Sequence, residues 1–275
     1  MANSREEIER KLRSRPWFQN TSEELQNRLL NLPSELTADE VGAKKPDRNC
    51  NGFLQHLANR PMECGGVRLI RLHDLLYPDL PGGLMFGLFP VFQVERLDGK
   101  ASYTYQYFCW RQGSTSGAKG LVLVRDKENR ISHIVCLRGD SFAIGAETFD
   151  CIGGFAEVDE FSIQKMLGTI HRELEEELGL KEAKIQELIR LGPMHSDRGM
   201  TPNCPELFAV IVDGSEINRI QEDKHLNADL FEMAHKIVVA RTEALWGPKG
   251  LCMRNSDSFF GSCIARLVAL GILKP

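Results

Sequence analysis

The residues with the clearest chemical potential are glutamates in one short stretch, "RELEEELGL" at residues 172–180. Four of them stand at Glu173, Glu175, Glu176 and Glu177. Like charges at helical spacing repel and cost about 0.2–0.5 kcal/mol per pair. A divalent cation would offset this repulsion, and carboxylate oxygens are ligands that Mg²⁺ prefers. A solvated acidic helix face is the simpler alternative.

The carboxylates need a helix to hold them, and the sequence predicts one over residues 161–178. Apolar residues recur at helical spacing and would form one buried stripe: Ile163, Leu167, Ile170, Leu174 and Leu178. Glu173, Glu176 and Glu177 fall on an adjoining face of the same helix. Gly179 is placed to end the helix. A Gly153-Gly154 turn precedes it.

The region around this helix reads as a mixture of strands and helices. "GLVLVRDKENRISHIVCLRG" predicts two strands around a polar turn, and "IQELIRLG" and "PELFAVIVDG" predict two more. "DSFFGSCIARLVALGIL" predicts a C-terminal amphipathic helix with an Asp or Ser cap. Strands flanked by helices predict an α/β or α+β sandwich over residues 117–275.

Two further regions precede this domain. Residues 1–62 predict polar helices, with Thr21 and Glu24 as a capping box. Residues 63–116 are rich in strand formers, and Asp98-Gly99 predicts a β-hairpin. Tyr103, Tyr105 and Tyr107 would share one strand face, either packed on another surface or stacked on a nucleotide base.

The bulk composition excludes some classes of protein. The 275 residues carry a net charge of −4, which gives no sign of nucleic-acid binding. The eight cysteines are scattered without a CxxC pair, which favours reduced thiols in a cytoplasmic protein. The N-terminus lacks the apolar segment of a signal peptide. The most apolar run is broken by Gly87 and Pro90, so we expect no membrane span.

The glutamate stretch resembles the Nudix box. "RELEEELGL" matches its second half, R-E-apolar-x-E-E-x-G-apolar, position by position, and Gly154 and Glu160 match the first half. The family usually has about seven residues between that glutamate and the arginine, whereas 161–171 supply eleven here. The extra residues amount to about one helical turn. An ungapped register would use Val158 and Gln164 instead.

The resemblance implies a Nudix-type α/β/α sandwich with a mixed β-sheet, extended at the N-terminus by helices and a β-hairpin. It implies that Mg²⁺ or Mn²⁺ is bound by Glu173, Glu176, Glu177, Gly154 and Glu160. Arg172 would hold the acidic loop by ion pairing. A metal-bound water would then attack a phosphorus of a nucleoside diphosphate linked to a group X.

Within the family, the chain is most similar to the ADP-ribose and nucleotide-sugar pyrophosphatases, which implies a small-molecule substrate and a homodimer. The resemblance implies a role in catalysis for Glu176, Glu177, Arg172 and Glu222. Glu222 is the candidate base, unless it belongs to an ordinary solvated acidic loop. Arg138, His195 and Arg198 are candidates for substrate binding, with plain surface positions as the alternative.

A second reading of the same box is a Nudix-fold module that binds a nucleotide without cleaving it. The four-residue insertion favours this reading, whereas the three intact helix glutamates favour catalysis. A third reading, a chance match in an unrelated metal-binding or structural protein, is disfavoured by the number of matched positions.

Overall fold

The computed structural model describes most of the chain: residues 4–34, 49–77, 87–114, 117–141, 145–156, 163–222, 236–255 and 257–275. Two compact units emerge from the contacts between residues. The N-terminal unit contains the described residues up to 114 together with 197–204, and the C-terminal unit contains the other described residues from 117 onward.

The N-terminal unit combines short helices with an antiparallel sheet. Its helices are α1 (Arg5–Arg13), α2 (Pro16–Gln19), α3 (Glu23–Leu30) and α4 (Asn51–Asn59). Its strands are β1 (Glu63–Cys64), β2 (Val67–Leu76), β3 (Gly87–Arg96), β4 (Ser102–Gln106) and β5 (Cys109–Trp110). The sheet order is β1-β2-β3-β4, and β5 pairs with β3. The predicted hairpin around Asp98-Gly99 is confirmed as β3 and β4, and Gly99 has a φ of 70°.

Aromatic side chains from the helices and the sheet form the core of this unit. Trp17, Phe18, Phe53 and Phe92 are all buried, and the rings of Trp17 and Phe92 meet edge to face with centroids 5.2 Å apart. Such edge-to-face pairs add to the hydrophobic gain from burial. The helices are therefore held by packing on the sheet, since each is too short to be stable alone.

Two sequence predictions in this unit are wrong in detail. Ser22, not Thr21, caps α3, because the Ser22 hydroxyl accepts from the backbone N–H of Leu25. Thr21 is buried instead, where its hydroxyl donates to the carbonyl of Trp17 and accepts from Leu72 N–H. Tyr107 does not share a face with the exposed Tyr103 and Tyr105, because β4 ends at Gln106 and Tyr107 is buried.

His56 makes the N-terminal unit sensitive to acid. Its Nε2 lies 3.1 Å from the Tyr107 hydroxyl, and burial, with a smaller effect from the nearby Arg60, lowers its pKa from 6.5 to about 4. Between these values the unfolded chain binds a proton that the folded unit does not, so stability falls as pH drops from about 6.5 to 4. We expect a loss of about 2 kcal/mol over this range, measured by urea unfolding.

The matched variant for this prediction is His56→Gln, which keeps a polar side chain but cannot titrate. Its unfolding free energy should change less with pH than that of the wild type, by the same margin. If the two proteins lose stability in parallel between these pH values, His56 is not the group responsible.

The C-terminal unit is built on a mixed sheet. Its strands are β6 (Ala118–Arg125), β7 (Ile131–Ser141), β8 (Ala146–Asp150), β9 (Ile185–Pro193), β10 (Glu206–Asp213) and β11 (Lys236–Arg241). Its helices are α5 (Ile163–Leu178), α6 (Glu216–Glu222), α7 (Leu251–Arg254) and α8 (Ser258–Ala269), with 3₁₀ turns at Glu182–Lys184 and Thr242–Leu245. The order is β11-β7-β6-β10-β9, with β8 beside β7. The β6–β10 pair is parallel and the other pairs are antiparallel.

Helices α5 and α8 pack on opposite faces of this sheet. Gly120 of β6 lies against Ile170 of α5. Its neighbour Leu121 belongs to a buried cluster that includes Phe260 of α8, and successive strand residues point to opposite faces. Asp257 caps α8 by accepting from Phe260 N–H at 2.6 Å. The predicted α/β class with a mixed sheet is confirmed.

All eight cysteines are free thiols, and five of them are buried. Within the described ranges, no helix combines the length and apolarity that crossing a membrane requires.

Candidate functional site

Helix α5 is held in place by one buried, apolar side. Met166, Ile170, Leu174 and Leu178 are fully buried, and the helix ends at Leu178, before Gly179 with a φ of 61°. Leu167 was predicted in the buried stripe but is 40% exposed, because the first turns face the sheet through Met166 and Thr169 instead. The side chain of Ile163 lies outside the described residues.

The Gly153-Gly154 loop runs alongside the first half of β6 and is hydrogen-bonded to its backbone. Ile152 pairs with Gly120, and Phe155 with Gly117, through isolated bridges. Gly153 has a φ of 136°, and a side chain there would fall on the carbonyl oxygen of Ala118. Only glycine fits at this point, where the loop backbone lies close beside the strand.

Glu177 ties the helix to this loop. Its Oε2 accepts from the backbone N–H of Gly153 at 2.9 Å, and its side chain is buried. A carboxylate that accepts a backbone N–H makes a charge-assisted hydrogen bond, which is stronger than a neutral one. This bond fixes the spacing between the loop and the last turn of α5.

Glu173 lies one turn earlier and faces the same loop. Its carboxylate fills the space beside Gly154, where an added Cβ would come within 2.5 Å of Oε1. Burial raises the pKa of Glu173 to about 7, although the adjacent Arg172 guanidinium, 2.8 Å away, opposes this shift. In the absence of a metal, burial thus favours the protonated form of Glu173 more than in an ordinary glutamate.

Arg172 bridges the helix and the loop. Its Nη2 donates to the carbonyl of Phe155 at 3.0 Å, and its Nη1 lies 3.1 Å from Oε2 of Glu176. The Glu176 side chain is 53% exposed, so it is the most accessible of the three helix carboxylates that match the box. The guanidinium thus holds the loop, while Glu176 remains open to solvent.

Lys119 is a charged residue near the site that the sequence analysis missed. Its Nζ lies 2.7 Å from Oδ2 of Asp150. Burial disfavours its charge, but the carboxylates of Asp150 and Glu177 outweigh this effect and raise its pKa above the usual value. Nothing in the local pattern "GAKGLVLV" distinguishes this lysine from a surface one, because its partners come from distant parts of the chain.

The donor chemistry of the helix and loop fits Mg²⁺ or Mn²⁺. Carboxylates and a backbone carbonyl are the oxygen ligands that these ions prefer. The carbonyl of Gly154 accepts from Ala118 N–H at 3.2 Å and keeps a second lone pair. Among the residues that the structure describes, however, no three His, Cys, Asp or Glu side chains converge closely enough to hold a metal. The oxygen donors are present, but each of the three carboxylates already has another partner. Glu173 and Glu176 lie against Arg172, and Glu177 accepts from Gly153 N–H.

Two predicted site residues fall wholly or partly outside the described chain. Glu160 belongs to the undescribed residues 157–162. Glu222 is the last residue of α6, but its side chain lies outside the described residues.

The structure describes all three predicted substrate-binding residues. Arg138 lies two residues after Cys136 on β7, so both side chains point to the same face of the sheet. Cys136 packs in the α8 cluster, so Arg138 lies on the face opposite α5. His195 is exposed after β9. Arg198 is exposed in the segment 197–204 of the N-terminal unit, where the Gly199 carbonyl accepts from the Tyr105 hydroxyl at 2.7 Å.

Similarity to known proteins comes from solved structures. No protein-family model matches the chain, and no curated protein matches it. The crystal structure of an ADP compounds hydrolase is similar, with a TM-score of 0.45 and 14% sequence identity, over 73% of this chain and 95% of that chain.

Proposed function

We propose that the chain hydrolyses the pyrophosphate bond of a nucleoside diphosphate linked to a group X, such as ADP-ribose or a nucleotide sugar. The observation that carries this proposal is the connection between α5 and the glycine loop. Glu177 accepts from Gly153 N–H, and Arg172 donates to the Phe155 carbonyl. Arg172 and Glu177 match the Nudix box, and the residues they contact flank its first glycine, Gly154. The partners meet although 17 to 24 residues separate them in sequence.

In this proposal, the metal-holding residues are those of the box: Glu173, Glu176, Glu177, Gly154 and Glu160. A bound divalent ion would supply an activated water and would neutralise phosphate charge. Arg172 keeps the loop against the helix, and Lys119 adds a fixed positive charge beside Glu177. Glu222 is the proposed base that takes a proton from the water.

The test is cleavage of a substrate panel that contains ADP-ribose, UDP-glucose, GDP-mannose, diadenosine polyphosphates and NADH. Each compound is incubated with the chain and Mg²⁺ or Mn²⁺, and phosphatase-coupled phosphate release is measured. We expect metal-dependent cleavage of at least one nucleoside diphosphate-X. The absence of cleavage across the panel with either metal would overturn the proposal.

Arg172→Lys separates the charge of Arg172 from its shape. A lysine keeps the charge, but its single ammonium cannot span the Phe155 carbonyl and two carboxylates as the guanidinium fork does. We expect kcat on the best panel substrate to fall by about 10- to 100-fold, as for other residues that orient metal ligands. The melting temperature should change little, because Arg172 is partly exposed. An unchanged kcat would show that the loop does not depend on this fork.

A nucleotide-binding module without catalysis is the second candidate. The observation that favours it is the division of the carboxylates in the described part of the chain, where no ready metal cluster forms. Under this reading, the panel compounds raise the melting temperature but remain intact.

A further inference from the structure

A cavity lies in the C-terminal unit, away from the α5 carboxylates. It is an open pocket of about 420 Å³ between strands β7, β8 and β11 and the segment that carries the second 3₁₀ turn and α7. This volume lies within the range of small-molecule sites, toward its lower end. The cavity is thus large enough for a ligand of nucleotide size.

The cavity opens on the sheet face that carries α8. Val238 of β11 lines it and is paired with Cys136 of β7, which packs in the α8 cluster. Cross-strand partners point to the same face of a sheet. Because α5 covers the other face, this cavity is separate from the glycine loop and the helix carboxylates.

Positive charge dominates the lining. Arg138, Lys249 and Arg254 all line the cavity, and Arg138 pairs with Glu147 at 2.5 Å. Lys249 and Arg254 are exposed and make no ion pair with any residue that the structure describes. A lining with more cations than carboxylates favours an anionic ligand, and phosphate suits lysine and arginine donors.

The remaining lining is aromatic and apolar. Trp246 and Phe149 line the cavity and are partly buried against the α8 cluster, together with Leu251. Aromatic rings offer a stacking surface for a planar group, with a gain of about 1–3 kcal/mol per stacked base in nucleic-acid complexes. Cations and aromatic rings in one cavity match a ligand that has both a phosphate and a planar ring.

The wall that carries Phe149 is fixed in place. Asn255 follows α7, donates from Nδ2 to the Phe149 carbonyl at 2.8 Å and accepts from Phe149 N–H at 3.4 Å. These bonds join β8 to the segment that bears Arg254. This wall of the cavity is therefore held in place before a ligand binds, which lowers the entropy lost on binding at that wall.

We propose that this cavity is a second binding site, for a nucleotide-like ligand whose phosphate meets Lys249 and Arg254 and whose ring lies against Trp246. The proposal goes beyond the hydrolytic function and does not depend on it.

The test uses AMP as the probe, with adenosine and inorganic phosphate as its two halves, in buffer with EDTA so that no divalent metal is present. Binding is measured by calorimetry and by tryptophan fluorescence on the full chain. We expect AMP to bind more tightly than either half. We also expect it to change a fluorescence signal that disappears in Trp246→Phe.

The decisive variant is the double change Lys249→Ala and Arg254→Ala, which alters two exposed side chains. It should weaken AMP binding by about tenfold or more while the melting temperature holds. Lys181→Ala, which removes an exposed cation outside the cavity, and Glu176→Gln should both keep the wild-type affinity. No binding at millimolar AMP, unchanged affinity in the double variant, or lost affinity in Glu176→Gln would each overturn the proposal.

Discussion

Replacement of Glu176 by glutamine is expected to abolish most of the proposed hydrolysis while leaving the fold intact. The change removes one negative charge from the most accessible carboxylate of the box, whose side chain is 53% exposed. A single preorganised charge in a hydrolytic site is commonly worth about 10²- to 10³-fold in kcat. We expect a loss of at least this size on the best panel substrate, measured as kcat and KM at saturating Mg²⁺.

The matched control is Glu175→Gln, one position away. Glu175 is also exposed, but it has no counterpart among the charged positions of the box. Both variants lose the same charge from the same helix, so any general effect on α5 appears equally in both. We expect near wild-type kcat in Glu175→Gln, and an equal loss in the two variants would refute the special role of Glu176.

Gly153→Ala is expected to destabilise the C-terminal unit strongly. The backbone at Gly153 has a φ of 136°, which L-residues rarely adopt, and the new methyl group would collide with the Ala118 carbonyl of β6. Strained backbone alone costs about 1–3 kcal/mol, and the collision adds to it because β6 is a buried central strand. We expect the free energy of unfolding to fall by more than about 3 kcal/mol, measured by urea denaturation.

Gly271→Ala isolates the backbone contribution. Gly271 also has a positive φ, 71°, but nothing lies within 4 Å of the position of its added Cβ. This variant should lose only about 1 kcal/mol. Equal losses in the two variants would mean that the loop moves away from β6 at little cost. The position of Gly153 would then not depend on close contact.

The sequence predicted the elements that local patterns encode. Helix α5 follows from its apolar period and from Gly179, and the β3–β4 hairpin follows from Asp98-Gly99. The α/β class follows from the strand-rich segments around α5. In each case, residues close in sequence determine the outcome, so a pattern of a few residues is informative.

The sequence predictions were wrong where contacts between residues distant in the chain determine which side chains are buried. Leu167 is exposed although it has helical spacing, because the sheet supports the Met166 side of the first turns. Tyr107 is buried because the chain leaves β4 at Gln106 and meets His56 of α4. The charge of Lys119 is stabilised by Asp150 and Glu177, which lie 31 and 58 positions away in the chain. No short pattern records such pairings.

We propose that hydrolysis requires a metal bound by the carboxylates of α5. The most direct measurement titrates Mn²⁺ into chelator-treated protein while its EPR signal and the cleavage of the best panel substrate are followed in the same sample. We predict that cleavage rises with bound Mn²⁺, and that Glu176→Gln reduces both. Full cleavage in excess EDTA, or undiminished Mn²⁺ binding in the variant, would contradict the account.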